Sequence, residues 1–432
     1  MSTARAPFHL MIKPAGPACN LDCTYCFYLE KERLYDPGAR FRMTDETLET
    51  LVRDYLAANP GDAPVVFGWQ GGEPTLMGVD FFRRAVSLQK RYGAGRVIEN
   101  AFQTNGTRID DTWAAFLKEN DFLVGVSIDG PRALHDKYRV DKGGKPTWHA
   151  VMRGIETLKR HRVDFNTLTC VNRETAQKPL EIYRFLRGIG STFLQFIPIV
   201  ERLPDARARE LRLALATPPP QTDCHLLSDK PAGTAAVGTA GDLDARPTDA
   251  PRMTPWSVRP GDYGRFLTTI FDRWVRRDVG RIHIQLFDVA LGKWLGLPGG
   301  ICVHAETCGR ALAMEHNGDV YSCDHYVYPD HRLGNLHESP LASLVDSERQ
   351  RAFGLAKLDT LPRRCLDCPM HFACAGGCPK HRFDHTEDGE PGLNHLCRDY
   401  LAFFAHVDRP MRMMAQLYRA GRAPAEIMRM LD

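Results

Sequence analysis

Cysteine spacing constrains this chain more than any other feature. Of thirteen cysteines, Cys19, Cys23 and Cys26 form C-x-x-x-C-x-x-C in one short stretch, and eight more crowd between Gly299 and Tyr400. A chain of 432 residues is too large to need disulfide staples, and an odd count cannot pair fully within one molecule. Metal or redox chemistry of free thiols becomes the leading explanation. It implies a reducing, cytoplasmic setting in which thiolates stay available.

Composition agrees with that setting. The chain is 43% hydrophobic and 25% charged, as expected of a folded soluble protein of two or three domains. Its 56 basic and 53 acidic residues are mixed along the chain, so no nucleic-acid footprint is present. The N-terminal MSTARAPFHLMIKPAG lacks the apolar region and cleavage site of an export signal. No stretch approaches the roughly 20 apolar residues of a membrane span, so no membrane partner is expected.

The first two hundred residues alternate apolar, β-branched or aromatic runs with helical periodicity, the pattern of βα units around a parallel sheet. Six strands are predicted, at 8–13, 64–69, 97–104, 122–128, 164–171 and 192–198. The first helix has Thr44 as N-cap, Asp45 and Glu46 in its first turn, and Leu48, Leu51, Val52, Tyr55 and Leu56 on one face. Polar, glycine-rich loops follow the strands: the cysteine loop, GGEP at Gly71–Pro74, TNGT at Thr104–Thr107 and SIDGP at Ser127–Pro131. In barrel-like α/β folds that rim carries the chemistry.

From about Ala216 to Pro260 the sequence turns to Pro, Ala, Gly, Thr and Asp, which reads as a flexible insertion. Helical periodicity returns near Tyr263–Val275. The region from Gly299 to Tyr400 is loop-rich with few apolar runs, so bound metal is expected to supply part of its stability. The last thirty residues read as helical.

Three thiolates on one loop can hold three corners of an iron–sulfur cube, whereas a closed cluster normally takes four cysteines. One iron would stay open, the usual mark of a reactive rather than a structural site. A zinc loop with a distant fourth ligand is the alternative. The later cysteines read Cys302-x5-Cys308-x14-Cys323 and Cys365-x2-Cys368-x5-Cys374-x3-Cys378-x18-Cys397. Eight ligands suffice for two complete clusters, although spacing alone also allows two zinc sites. Cys170 falls in a predicted strand as a buried small residue, and Cys224 falls in the insertion.

With Tyr25 between its last two cysteines, the loop resembles the C-x-x-x-C-x-Y-C signature of the radical S-adenosylmethionine (SAM) superfamily. MTDETLETLV, WQGGEPTLMG, FQTNGT, VGVSIDGP, QFIPIVER and YSCDHY extend the resemblance to the anaerobic sulfatase-maturating enzymes. It implies an α/β fold: a partial (β/α)6 radical SAM barrel at 1–200, then the insertion and bridging helices at 201–297. A loop-rich, cysteine-rich SPASM domain would follow at 298–400, and a C-terminal helix at 401–432.

The resemblance also implies SAM and three [4Fe-4S] clusters as cofactors. Cys19, Cys23 and Cys26 would hold the SAM-binding cluster. Cys302, Cys308, Cys323 and Cys378 would hold one auxiliary cluster, and Cys365, Cys368, Cys374 and Cys397 the other. Tyr25, Gly71, Gly72, Ser127, Arg139 and Val200 would contact the cofactor, the two glycines by letting backbone come close. Asp324 would be the general base, with Tyr28 and Gln70 lining the substrate channel. His304, His316 and His325 are read as structural or surface residues, because eight cysteines already complete two clusters.

The implied reaction oxidises a cysteine or serine of a sulfatase polypeptide to Cα-formylglycine, with an external electron donor such as flavodoxin or ferredoxin. Two alternatives share parts of this sequence: another SPASM peptide modification such as thioether crosslinking, and a non-catalytic metal-binding scaffold.

Overall fold

A computed structural model describes residues 3–61, 63–93, 95–219 and 252–431. The six predicted strands are present as β1 (His9–Lys13), β2 (Val65–Trp69), β3 (Ile98–Thr104), β4 (Leu123–Ser127), β5 (Phe165–Val171) and β6 (Phe193–Pro198). Each pairs in parallel with the next, as βα crossovers require. Leu10, Ile12, Phe67 and Trp69 are fully buried, because helices cover the outer face of the sheet.

The helix Asp45–Ala58 shows how sequence sets this layer. Thr44 Oγ1 accepts the Thr47 amide at 3.1 Å, capping the helix, and Leu48, Leu51, Val52, Tyr55 and Leu56 are buried against the sheet. The Tyr55 hydroxyl accepts the Leu10 amide at 3.2 Å, which ties the helix to β1.

The sheet does not end with the barrel. β7 (His283–Ile284) adds in parallel to β6, and β8 (Ala311–Glu315) adds in parallel to the opposite edge, on β1. The β1–β8 register runs from His9↔Ala311 to Lys13↔Glu315. β9 (Asp319–Tyr321) and β10 (Arg332–Asn335) continue antiparallel, giving ten strands in the order β10-β9-β8-β1-β2-β3-β4-β5-β6-β7. The first part of the cysteine-rich region is therefore held by a sheet, with Leu312, Ala313 and Met314 buried, rather than by metal alone.

Composition also overstated the insertion. Residues 252–260 are folded against the end of β6: the Val258 amide donates to Ile199 O at 3.0 Å, the Thr254 amide to Glu201 O at 2.9 Å, and the Glu201 amide to Ser257 Oγ at 2.8 Å. Thr254 and Ser257 have no exposed surface, so hydroxyl-to-backbone bonds replace the periodic pattern that sequence reading relies on. The rest of the expected insertion, including Cys224, lies outside the described residues. The bridging helix, Asp262–Arg277, packs along the C-terminal helix Cys397–Arg419, which starts at the last cysteine and runs through Pro410.

Because β1 lies between β2 and β8, Leu10→Ala is expected to destabilise the fold by about 2–5 kcal/mol and to raise amide hydrogen exchange in both neighbouring strands. Faster exchange in β2 alone would show that β8 does not share the core with the barrel.

Candidate functional site

The cysteine loop folds against GGEP. The Gly72 amide donates to Gly16 O at 2.8 Å and the Glu73 amide to Ala18 O at 2.9 Å. A Cβ on Gly72 would lie 2.0 Å from Ala18 O, so only glycine allows this approach, and Gly71 adopts φ +138°. Glu73, fully buried, accepts the Asn105 amide at 2.7 Å, the Thr104 hydroxyl at 2.8 Å and the Thr75 amide at 3.0 Å. Its carboxylate thus ties the ends of β2 and β3 together beneath the loop. Sequence reading passed over Glu73; an acidic residue wedged between two glycines and a proline was the available signal.

On the other side, the Asp22 and Thr24 amides donate to Val140 O at 2.8 Å and Tyr138 O at 3.0 Å. Burial, first of all, pushes the Cys19 and Cys23 thiols up to about 12; Glu73 adds to this at Cys19, while Arg139 opposes it at Cys23. Neutral thiols suit such a site, and only exchange of their protons for metal makes thiolates stable there.

Of the expected SAM contacts, Tyr25 and Arg139 meet at one carboxylate. Tyr25 is buried, and its hydroxyl donates to Asp129, which also accepts Arg139 Nε at 3.0 Å and the Cys170 amide at 3.0 Å. Arg139 is therefore a buried, paired cation and not a solvated charge. Cys170 is more than a core filler: its sulfur lies 3.5 Å from Arg139 Nη2, in a cluster with Tyr25, Cys23 and Ile199. Ser127 Oγ accepts Gln103 Nε2 at 3.1 Å, and Val200 is buried beside the fixed Glu201. Asp129, which organises this group, went unnoticed inside SIDGP.

The eight later cysteines form two groups. Cys302 and Cys378 face both Cys308 and Cys323, while Cys365, Cys368 and Cys397 face Cys374. Burial leads in raising the Cys308 and Cys374 thiols to about 12, with the neighbouring sulfurs adding to it. Among the described residues, no three His, Cys, Asp or Glu side chains converge as single-ion ligands, which zinc would need at roughly 2.3 Å. Four thiols in each group match the four cysteine ligands that a closed iron–sulfur cube takes.

Asp324 opens a short turn after β9, directly behind Cys323. Its side chain is 16% exposed, and Oδ1 lies 2.5 Å from Lys13 Nζ at the end of β1. The contact is a charge pairing outside hydrogen-bond alignment, so Oδ1 has no directed donor. Burial pushes the carboxyl up, but Lys13, His325 and Lys380 together outweigh it and hold Asp324 below the usual carboxylate range. Lys13 Nζ also lies 3.8 Å from the centre of the Tyr28 ring, whose hydroxyl donates to Glu315 on β8. A lysine closing an apolar strand beside the cysteine loop was the overlooked signal for Lys13.

The three histidines are interior rather than surface residues. His304 Nδ1 is 3.1 Å from Cys374 O, His316 Nδ1 is 3.3 Å from Glu315, and His325 Nδ1 is 3.6 Å from Cys378 Sγ. Phe27 stacks edge-on against His325, and Lys380 over Phe27 pairs with Glu201 at 2.6 Å. The Gln70 amide donates to Ile12 O at 2.8 Å, placing that residue next to the end of β1.

Known proteins share this arrangement. Residues 14–186 match the radical SAM superfamily, and residues 302–369 match SPASM, the iron–sulfur cluster-binding domain. The chain is 44% identical to the serine-type anaerobic sulfatase-maturating enzyme of Bacteroides thetaiotaomicron, over 98% of this chain and 95% of that one. It is 33% identical to the cysteine-type enzyme of Clostridium perfringens, over 93% and 96%. The solved structure of native anSMEcpe with bound AdoMet and Cp18Cys peptide superposes with a TM-score of 0.76 at 32% identity, covering 95% of this chain and 99% of that one. With a radical SAM barrel, an iron–sulfur SPASM region and this likeness along nearly its whole length, the chain belongs to the anaerobic sulfatase-maturating enzymes.

Proposed function

We propose that the chain converts one cysteine or serine of a sulfatase polypeptide into Cα-formylglycine in the cytoplasm, with an external flavodoxin or ferredoxin as electron donor. The observation that carries this reading is the double contact of Lys13, which touches Asp324 and Tyr28 at once. It joins the carboxylate behind Cys323 to the aromatic residue that follows the three-cysteine loop.

In this reading Cys19, Cys23 and Cys26 hold a [4Fe-4S] cluster, and Tyr25, Gly71, Gly72, Ser127, Arg139 and Val200 shape the pocket for SAM. Bound there, SAM would supply the 5′-deoxyadenosyl radical chemistry by which a hydrogen atom is removed from the substrate Cβ. Asp324 would then take the proton of the substrate thiol or hydroxyl while the second electron passes to an auxiliary cluster and from there to the oxidised form of the external carrier, and a C=S or C=O bond forms; water would convert the thioaldehyde to the aldehyde with release of hydrogen sulfide. Lys13 keeps Asp324 ionised and therefore able to accept. Such a carboxylate is a weak base, which suffices because a hydroxyl or thiol on a radical carbon is far more acidic than on a saturated one. The two groups of four cysteines each complete an auxiliary [4Fe-4S] cluster and leave no open position for substrate.

Three outcomes check this reading. Asp324→Asn should still release 5′-deoxyadenosine but form formylglycine more slowly by about 10²–10⁴-fold, as read by mass spectrometry of Cys- and Ser-containing sulfatase peptides; an unchanged rate would remove Asp324 from the role of base. Lys13→Met should show the same uncoupling, and Lys13→Arg should recover part of the activity. Gly72→Ala should lose iron equivalent to one cluster of three while the auxiliary clusters persist, because its Cβ would displace the cysteine loop. Full iron content in that variant would mean the loop tolerates the shift.

A further inference from the structure

Arg382 is 6% exposed, yet its guanidinium faces no carboxylate. Nε donates to Gly376 O at 3.1 Å, Nη1 to Lys357 O at 2.5 Å, and Nη2 to Ala375 O at 3.1 Å and Gly377 O at 3.3 Å. Among the described residues it makes no ion pair. A buried charge with only carbonyl dipoles around it is costly unless a counter-charge is close.

Sulfurs from both cysteine groups, Cys365 and Cys374 of one and Cys378 and Cys308 of the other, favour its charge once they are thiolates. The backbone is shaped for this placement. Between Cys374 and Cys378, three consecutive residues take left-handed conformations, Ala375 at φ +48°, Gly376 at +69° and Gly377 at +65°. That turns all three carbonyls onto the guanidinium. A Cβ on Gly376 would lie 2.6 Å from Nη2. The segment linking one ligand of each group is therefore a cup for a cation.

Lys357 provides a contrast. It is fully buried and, among the described residues, makes no ion pair, and its ammonium donates to Cys302 O at 2.6 Å, Val303 O at 3.0 Å and Ala305 O. The sulfurs it faces, Cys308, Cys378 and Cys302, all belong to one group.

We propose that Arg382 is the shared counter-charge of the two auxiliary iron–sulfur clusters and raises the reduction potential of both, whereas Lys357 acts on the Cys302/Cys308/Cys323/Cys378 cluster alone. One-electron reduction adds one negative charge to a cluster, and a buried cation beside it favours the reduced state. A cation between two clusters favours an electron on either one. The inference rests on the ligation in the proposed function.

The test is potentiometric titration, followed by electron paramagnetic resonance, of reconstituted full-length wild type, Arg382→Gln, Arg382→Lys and Lys357→Gln. A Cys19/Cys23/Cys26→Ala protein identifies the auxiliary signals. Arg382→Gln should shift both auxiliary potentials to more negative values and leave the three-cysteine cluster unmoved. Arg382→Lys should stay near wild type, and Lys357→Gln should lower one auxiliary potential only. Unmoved potentials in a cluster-complete Arg382→Gln protein would overturn the proposal, as would an equal shift in all three clusters. If Arg382→Gln does not hold both clusters, the other two variants decide: a Lys357→Gln shift in both or neither, or an Arg382→Lys shift as large as loss of charge at Lys357 produces, contradicts it. Wild-type protein lacking two auxiliary clusters would instead overturn the ligation itself.

Discussion

Pairing of β1 on both edges is the constraint from which the rest of this structure follows. On one side β1 meets β2 and the barrel; on the other it meets β8 and the start of the SPASM region. One five-residue strand therefore fixes the position of the cysteine loop that follows it and of the β8–β9 hairpin that leads to Cys323 and Asp324. The Lys13–Asp324 contact results from that register, since Lys13 stands opposite Glu315 and reaches past it to the turn after β9. A sheet shared in this way holds the Asp324 carboxylate to the barrel with backbone hydrogen bonds, which are more rigid than loop contacts.

Charge is the second organising element. Lys13, Lys31, Lys357 and Arg382 are nearly or fully buried, which a metal-free core of this kind would penalise. Each is placed against something that lowers the cost. Lys13 has Asp324 and the Tyr28 face, Lys31 has the Tyr328 face 3.1 Å from its ammonium, and Lys357 and Arg382 have turned carbonyls and cysteine sulfurs. Burial dominates at Lys31 and lowers it to about 7, with Glu30 opposing. The cysteine thiols follow the complementary logic. Where burial raises the thiol, as at Cys19, Cys23, Cys308 and Cys374, metal must displace a proton, so cluster binding and neutralisation of the buried cations are coupled.

Sequence alone carried the barrel because buried parallel strands announce themselves as apolar runs followed by glycine-rich loops. It carried the runs of cysteines because spacing is local, while their interleaved division, with Cys378 set beside Cys302, Cys308 and Cys323, came from the family resemblance. What it missed is long-range or aperiodic. β8 is short, and nothing in Ala311–Glu315 names β1 as its neighbour three hundred residues away. Residues 252–260 are held by Thr254 and Ser257 hydroxyls, a mode with no hydrophobic period. Lys13, Glu73, Asp129 and Arg382 look like ordinary polar residues until folding buries them. The family resemblance supplied Asp324, but only the structure shows the lysine that faces it.

In the proposed reaction a hydrogen atom leaves the Cβ of one sulfatase residue for 5′-deoxyadenosine. The most direct measurement uses sulfatase-motif peptides deuterated at Cβ of the target serine or cysteine, incubated anaerobically with the reconstituted enzyme, SAM and reductant. The account predicts deuterium in 5′-deoxyadenosine, appearing in step with an aldehyde on the peptide. Deoxyadenosine free of deuterium, or a peptide changed by crosslinking rather than by oxidation at Cβ, would contradict it.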